Sequence, residues 1–263
     1  IYMDAMKGRW RGRTTIQEEE RKLLWIARLL EKMEKDHEIA STDPRHLSNK
    51  DIKLFLLKLA DKDPDSQRRY ISRMNSFLKF FENYTIEKMI SKGFTMPRCA
   101  HKNIRVIETP DVAALFRGAM ALQGWHGSIN RGMMALYFAT GARPSELRLA
   151  EFEDLDLKHE RIFIRVPKGI GSWASAEWRD IIRPDMMPLI RRYVQEREAH
   201  LKGCGIKESK FLFPNTYRGM NSFYSANTWW EIKDELVKAT DIKFRIKDWR
   251  STITSITVNE DLS

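Results

Sequence analysis

Apolar residues recur at helical spacing through the first third of the chain. On the first predicted helix these apolar residues alternate with charged ones, and they are Leu23, Leu24, Ala27, Leu30 and Met33. This spacing is typical of an amphipathic helix that buries one face. Thr15 and Ser48 are predicted N-caps, because each precedes an acidic residue by three positions and an apolar run. A third predicted helix follows the turn at residues 63–66, so the segment 1–95 is predicted to be a small helical bundle.

The pattern changes after residue 108. Thr109 is a predicted cap with Pro110 at the first helical position. Residues 161–166 alternate between apolar and polar side chains as a strand does, and residues 178–182 are predicted to be the returning strand. Helical patterns resume after Pro184. We therefore expect a mainly α protein with a small antiparallel β-sheet: a helical domain at 1–95, a linker at 96–108 and an α+β domain at 109–263.

Composition points to a polyanionic partner. The 263 residues include 46 Lys and Arg against 36 Asp and Glu, which gives a net charge of +10. Such a surplus favours nucleic acid first and an anionic membrane second, although a basic protein without such a partner fits it too. No segment is apolar enough to span a bilayer, and the histidines show no metal-binding spacing. Cys99 and Cys204 lie far apart, which fits a reducing cytoplasm.

Three short motifs carry a resemblance. Residues 140–147 read TGARPSEL, residues 166–169 read VPKG and residues 247–252 read KDWRST. The first resembles the TGxRxxEL box of tyrosine recombinases, the phage integrase family, and the last resembles their HxLRHT box. The middle motif stands where the family has the lysine of its β-hairpin. The resemblance covers roughly the whole chain, and it implies a core-binding domain followed by a catalytic domain.

Cleavage of a DNA phosphodiester loads negative charge onto its non-bridging oxygens. Without a metal, the protein must supply fixed cationic donors there, and the planar fork of arginine suits this role. Arg143 and Arg250 belong to separate boxes, and the resemblance implies that they are the two catalytic arginines. Glu146 lies three residues after Arg143 on the same helical face. It is either a surface ion pair or, as the resemblance implies, the carboxylate that orients Arg143.

Two lysines complete the expected site. The resemblance implies that Lys168 protonates the 5′-hydroxyl leaving group, whereas a lysine in a turn is otherwise simply solvated. Lys247 replaces the histidine of most relatives. A charged lysine is a poor base but can donate hydrogen bonds to phosphate, so the site is either a functional variant or a degenerate one. The KxxR form resembles integrases of archaeal viruses and plasmids.

The nucleophile is missing from the pattern. The family's tyrosine lies well beyond the second box, but residues 251–263 contain no tyrosine. Tyr137, Tyr193, Tyr217 and Tyr224 precede that box, and their contexts fit packing or DNA contact. We expect that the sequence stops before the tyrosine and that this chain is inactive alone, unless the protein is naturally inactive.

The resemblance implies site-specific recombination of double-stranded DNA through a 3′-phosphotyrosine link, by a homotetramer that needs no metal or nucleotide. Arg68, Arg69 and Arg73 are candidate contacts to the DNA backbone, although any of them fits a solvated helix face. Two alternatives remain open. One is a type IB topoisomerase, which the helical domain disfavours, and the other is a non-catalytic DNA-binding protein derived from an integrase.

Overall fold

The structure, a computed structural model, describes residues 2–7, 13–98, 104–169 and 174–261. The chain divides into two compact units, Ile1–Lys102 and Asn103–Ser263. This division falls inside the segment 96–108 that the sequence predicts as a linker.

The described part of the first unit is helical. Its helices are α1 (Tyr2–Lys7), α2 (Arg13–Lys35), α3 (Asn49–Leu57), α4 (Pro64–Phe80) and α5 (Thr85–Ser91). Ser48 caps α3, since its hydroxyl accepts from the Asp51 backbone N–H and Asp51 accepts from the Ser48 backbone N–H. The predicted cap at Thr15 is wrong, because α2 begins at Arg13 and residue 15 lies inside it. The apolar core of this unit includes Ile26, Met33, Ile52, Phe55, Met74 and Leu78.

The second unit surrounds a small sheet with helices. The helices are α6 (Thr109–Ala121), α7 (Gly124–Thr140), α8 (Pro144–Arg148), α9 (Met187–Gly203), α10 (Ala226–Thr240) and α11 (Ile246–Asp261). The strands are β1 (Leu155–Asp156), β2 (Arg161–Ile164), β3 (Glu177–Asp180), β4 (Pro214–Asn215) and β5 (Ser222–Phe223). Antiparallel β1, β2 and β3 form one sheet, and β4 pairs with β5. The predicted fold class is confirmed. Thr109 is the first residue of α6 and Glu108 is its cap, one residue earlier than predicted.

Helix α7 is the centre of the second unit. Every residue from Gly127 to Thr140 is buried. Gly132 lets α7 approach α9 closely, because a Cβ at this position would overlap the ring of Tyr193. The helix ends at Gly141, which adopts the left-handed conformation with φ 58°. The chain then turns sharply into the residues of the first motif.

The register of the sheet decides which side chains face inward. Ile162 of β2 is fully buried and stands directly opposite Arg179 of β3. Residues that are directly opposite in an antiparallel pair place their side chains on the same face. Arg179 therefore lies on the inner face of this sheet, together with Ile162.

Candidate active site

Arg143 is fixed from both its backbone and its side chain. It immediately precedes α8, and its backbone N–H donates to Glu146 Oε2 at 2.7 Å. Its guanidinium Nη1 donates to the other oxygen, Oε1, also at 2.7 Å. The Glu146 side chain is fully buried, whereas that of Arg143 is 32% exposed. The carboxylate thus orients the arginine from behind and leaves part of the guanidinium open.

The turn that presents Arg143 is held from the core. Thr140 Oγ1 donates to the Leu136 carbonyl and accepts from the Ala142 backbone N–H, so its role is structural. The Tyr137 hydroxyl donates to the Pro144 carbonyl at 3.0 Å and accepts from Trp229 Nε1 at 3.1 Å. Helices α7 and α10 therefore both support the first turn of α8.

Arg179 is a member of the site that the sequence did not reveal. Its Nη1 donates to Glu146 Oε2 at 3.1 Å and its Nη2 donates to Glu177 Oε1 at 3.0 Å. One buried carboxylate, that of Glu146, therefore holds two guanidinium groups. In the sequence, Arg179 is only one charged residue of the predicted returning strand at 178–182, and the register of β3 against β2 was needed to place it on the inner face of the sheet.

Arg250 reaches the same place from helix α11. Its Nη1 donates to the carbonyl of Gly141, at the turn that leads to Arg143, at 3.4 Å. Partial burial and the nearby guanidinium groups of Arg143 and Arg179 lower the pKa of Arg250. It stays charged at neutral pH, because arginine does so in proteins. Three guanidinium groups from three separate elements therefore gather around Glu146.

The charge balance of this cluster favours an anion. Burial raises the pKa of Glu146, but hydrogen bonds from Arg143 and the charge and hydrogen bond of Arg179 outweigh it and hold the pKa below its ordinary value. Glu146 is thus ionised at neutral pH, yet together with the exposed Glu177 it still leaves the three arginines in excess. A bound phosphate would supply the missing negative charge, and arginine forks bind phosphate with paired hydrogen bonds.

The structure does not bring the two predicted lysines into contact with these arginines. Lys168 is exposed in the turn that follows β2, and residues 170–173 of that hairpin lie outside the described residues. Lys247 is exposed on the first turn of α11. It lies three residues before Arg250, so both share one face of the helix.

The predicted DNA-binding arginines of the first unit lie on α4. Arg68 and Arg69 are exposed. Arg73 forms an ion pair with Glu19, whose side chain is 1% exposed. Arg73 therefore neutralises a buried carboxylate within its own unit.

Three tyrosines of the second unit are buried and hydrogen bonded. Tyr137 and Tyr193 are fully buried, and the Tyr193 hydroxyl donates to the Leu212 carbonyl at 2.8 Å. Burial raises the pKa of both, and it raises the pKa of Tyr224 to about 12. Tyr217 is different, since it is 61% exposed at the start of the short 3-10 helix Tyr217–Gly219.

Two other kinds of site are absent from the part of the chain that the structure describes. Within those ranges, no group of three or more His, Cys, Asp or Glu side chains could hold a metal ion. No described helix is both long and apolar enough to cross a membrane.

One protein family and several solved structures are similar to this chain. Residues 112–263 match the phage integrase family. No curated protein matches the chain. Solved structures of three DNA-bound recombinases share its fold. A lambda integrase (75–356) dimer bound to a COC′ core site is 14% identical with a TM-score of 0.64, and the match covers 98% of this chain and 84% of that one.

The other two structures are a recombinase and a transposon integrase. The XerH site-specific recombinase in a post-cleavage complex with palindromic difH substrate is 13% identical with a TM-score of 0.68, over 96% of this chain and 71% of that one. The Tn1549 transposon integrase (82–397) with circular intermediate DNA is 13% identical with a TM-score of 0.65, over 100% of this chain and 87% of that one. These likenesses show the fold.

Proposed function

Because the chain belongs to the phage integrase family, we propose that it is a tyrosine-type site-specific recombinase that cleaves and rejoins DNA through a 3′-phosphotyrosine link. The observation that carries this proposal is the gathering of Arg143, Arg179 and Arg250 around the buried carboxylate of Glu146. Glu146 and the exposed Glu177 do not balance these three charges, and a scissile phosphate would.

The arginines would stabilise the charge that develops during attack on the phosphate. Arg143 immediately precedes α8 and Arg250 lies on α11, so the two arginines would hold two non-bridging oxygens of one phosphate from separate elements. Glu146 keeps Arg143 in place, and Arg179 shares that carboxylate. The energy of the broken bond is kept in the phosphotyrosine link, so rejoining needs no nucleotide.

Two lysines would complete the chemistry. We assign Lys168 the role of the acid that protonates the 5′-oxygen leaving group, which its exposure on the turn after β2 permits. Lys247 would donate a hydrogen bond to the phosphate beside Arg250, because its position on the same helical face points the same way. The KxxR pattern that Lys247 and Arg250 form also supports an archaeal mobile element as the source.

The attacking tyrosine is proposed to be none of Tyr137, Tyr193 or Tyr224. Each is buried, and burial raises the pKa of each, which opposes formation of a nucleophilic phenolate. Tyr217 is exposed, but it precedes the box at residues 247–252, whereas the family's tyrosine follows that box. We therefore assign the role of nucleophile to none of the tyrosines of residues 1–263, so this chain alone would not cleave DNA.

The proposed substrate is a double-stranded attachment site in the cytoplasm, bound by a homotetramer. A similar solved structure is that of a lambda integrase tetramer bound to a Holliday junction, which supports this assembly for the chain. Arg68 and Arg69 of α4 would bind backbone phosphates, since both are exposed and cationic.

The test is a cleavage assay on the protein as encoded by its gene, with a nicked substrate that traps the covalent complex. Arg143→Ala and Arg250→Ala should each abolish the covalent complex while binding to DNA falls only a few-fold. Arg192→Ala is the matched control, because Arg192 is exposed on α9 and pairs with Glu196. Unchanged cleavage in both cluster variants would refute the proposal. Joining of the cleaved strand to a second duplex distinguishes recombination from relaxation by a topoisomerase.

A further inference from the structure

The segment that leads into α11 alternates between buried and exposed side chains. Phe244 and Ile246 are 4% and 1% exposed. The intervening positions, Lys243, Arg245 and Lys247, are all exposed and all cationic. One side of this segment is therefore anchored in the core, and the other side is a row of three positive charges that ends beside Arg250.

The segment is held rigidly enough to position those charges. The buried Lys233 of α10 donates to the Phe244 carbonyl at 3.3 Å. The Phe244 ring packs edge-on against Trp249, with 5.7 Å between the ring centroids. Helix α11 and helix α10 thus fix the segment from both sides.

Arg245 is built in the same way as Arg143. Each immediately precedes a helix, α11 or α8, and each donates its backbone N–H to a carboxylate three residues later, at 2.9 Å to Asp248 and 2.7 Å to Glu146. Each also donates a guanidinium N–H to the same carboxylate. The acids are buried, at 2% and 0% side-chain exposure, whereas Arg245 is 51% exposed and Arg143 is 32% exposed.

We propose that Lys243 and Arg245 form a second phosphate-binding site, which holds the DNA backbone beside the phosphate that Arg143 and Arg250 bind. The identity of the ligand as DNA rests on the proposed function. The position of the site supports DNA as the ligand, because Lys247 and Arg250 of the same helix connect it to the arginine cluster without a break in positive charge. Two residues of extended chain span at most about 7 Å, which suits two neighbouring phosphates of one DNA strand.

The proposal predicts a measurable change in counterion release. Each phosphate neutralised in duplex DNA contributes about 0.9 to the slope of log affinity against log salt. Lys243→Gln and Arg245→Gln should each make the slope shallower by about 0.9, and the double variant by about 1.8. Between about 50 and 200 mM salt the double variant should therefore lose about 12-fold less affinity than the unaltered protein. The effect should be equal on the attachment site and on an unrelated duplex, because phosphate contacts carry no sequence information.

Lys202→Gln is the matched control, since Lys202 is an exposed lysine near the end of α9 and should leave the slope unchanged. Lys243→Gln leaves the Arg245–Asp248 ion pair intact, so a change in the slope of this variant cannot come from the loss of that pair. An unchanged slope in both Lys243→Gln and Arg245→Gln would overturn the proposal.

The binding measurement does not depend on cleavage, so the two proposals fail separately. If the slopes change as expected but the protein forms no covalent complex with DNA, the phosphate site stands and the recombinase proposal falls. If the complex forms but the slopes do not change, the recombinase proposal stands and the second site falls.

Discussion

A guanidinium group binds a phosphate strongly when most of its conformational freedom has already been removed in the free protein. Arg143 meets this condition, because Glu146 accepts hydrogen bonds from both its backbone and its side chain. Arg179 meets it through the same carboxylate. The orientation of two cations therefore depends on the buried Glu146. Replacing Glu146 should lower both the free energy of unfolding and the rate of DNA cleavage.

Arg179 is expected to be needed for cleavage although no motif contains it. Arg179→Gln removes one cation from the cluster and one partner from Glu146, so covalent complex formation should fall on the order of a hundredfold. Trapping of the complex on a nicked substrate measures this. Arg161→Gln is the control, since Arg161 lies on the adjacent strand with its side chain on the other face of the sheet, over Trp178. Equal activity of the two variants would exclude Arg179 from the site.

Glu146 should stabilise the fold only when it is ionised. Its pKa is lower in the folded protein than its ordinary value of 4.5, so its stabilising effect is present above pH 4.5 and disappears as the pH falls through the folded pKa. Glu146→Gln should lower the free energy of unfolding by about 2 kcal/mol at neutral pH, and this difference should shrink as the pH falls below the ordinary pKa.

Urea denaturation at a series of pH values measures the effect of Glu146→Gln. Glu177→Gln is the control, because Glu177 pairs with Arg179 from an exposed position, with 56% of its side chain in solvent. A destabilisation by Glu146→Gln that is the same at low and neutral pH would contradict the assigned role of its charge.

At the scale of elements, helix α7 positions the site by packing against α9. Gly132→Ala should destabilise the protein by about 2 kcal/mol, because the added methyl meets the ring of Tyr193. That ring cannot easily move, since it is buried and its hydroxyl is bound to Leu212. The helical preference of alanine over glycine offsets at most about 1 kcal/mol.

Thermal and urea unfolding test this expectation. Gly203→Ala provides the control, because Gly203 ends α9 and a Cβ there would meet nothing within 4 Å. If Gly132→Ala were as stable as Gly203→Ala, the close approach of α7 and α9 would not be as described.

The elements also show what the sequence could and could not predict. The longer helices and the strands β2 and β3 followed from periodicity, whereas α1 and the two-residue strands β1, β4 and β5 were not predicted. Arg143 and Glu146 followed from a local motif whose geometry lies within one turn of helix. Arg179 could not be predicted, because its inward direction depends on its pairing with Ile162, and pairing register is not a local property. Thr15 and Thr109 lie just inside their helices, as the third and the first residue, because short capping patterns locate the end of a helix only to within a few residues.

Across the whole molecule, the net charge of +10 remains after ion pairing, because each pair of an acidic with a basic residue removes one charge of each sign. Five phosphates are proposed to be bound: the scissile phosphate, which Arg143, Arg250 and the two lysines of the site share, and one phosphate each for Arg68, Arg69, Lys243 and Arg245. At about 0.9 per phosphate, log affinity against log salt should have a slope of about −4.5.

Fluorescence anisotropy of a labelled duplex at several salt concentrations measures that slope. A slope shallower than about −2 would mean that most of these side chains do not reach the DNA.

An experimental structure of the protein bound to its DNA site would show whether the arginines share one phosphate, through the distances from the guanidinium nitrogens to the phosphate oxygens. We expect Arg143 and Arg250 to lie within about 3.2 Å of non-bridging oxygens of one phosphate, with Arg179 still bound to Glu146. Guanidinium groups of Arg143 and Arg250 bound to different phosphates, or directed to solvent, would contradict the account.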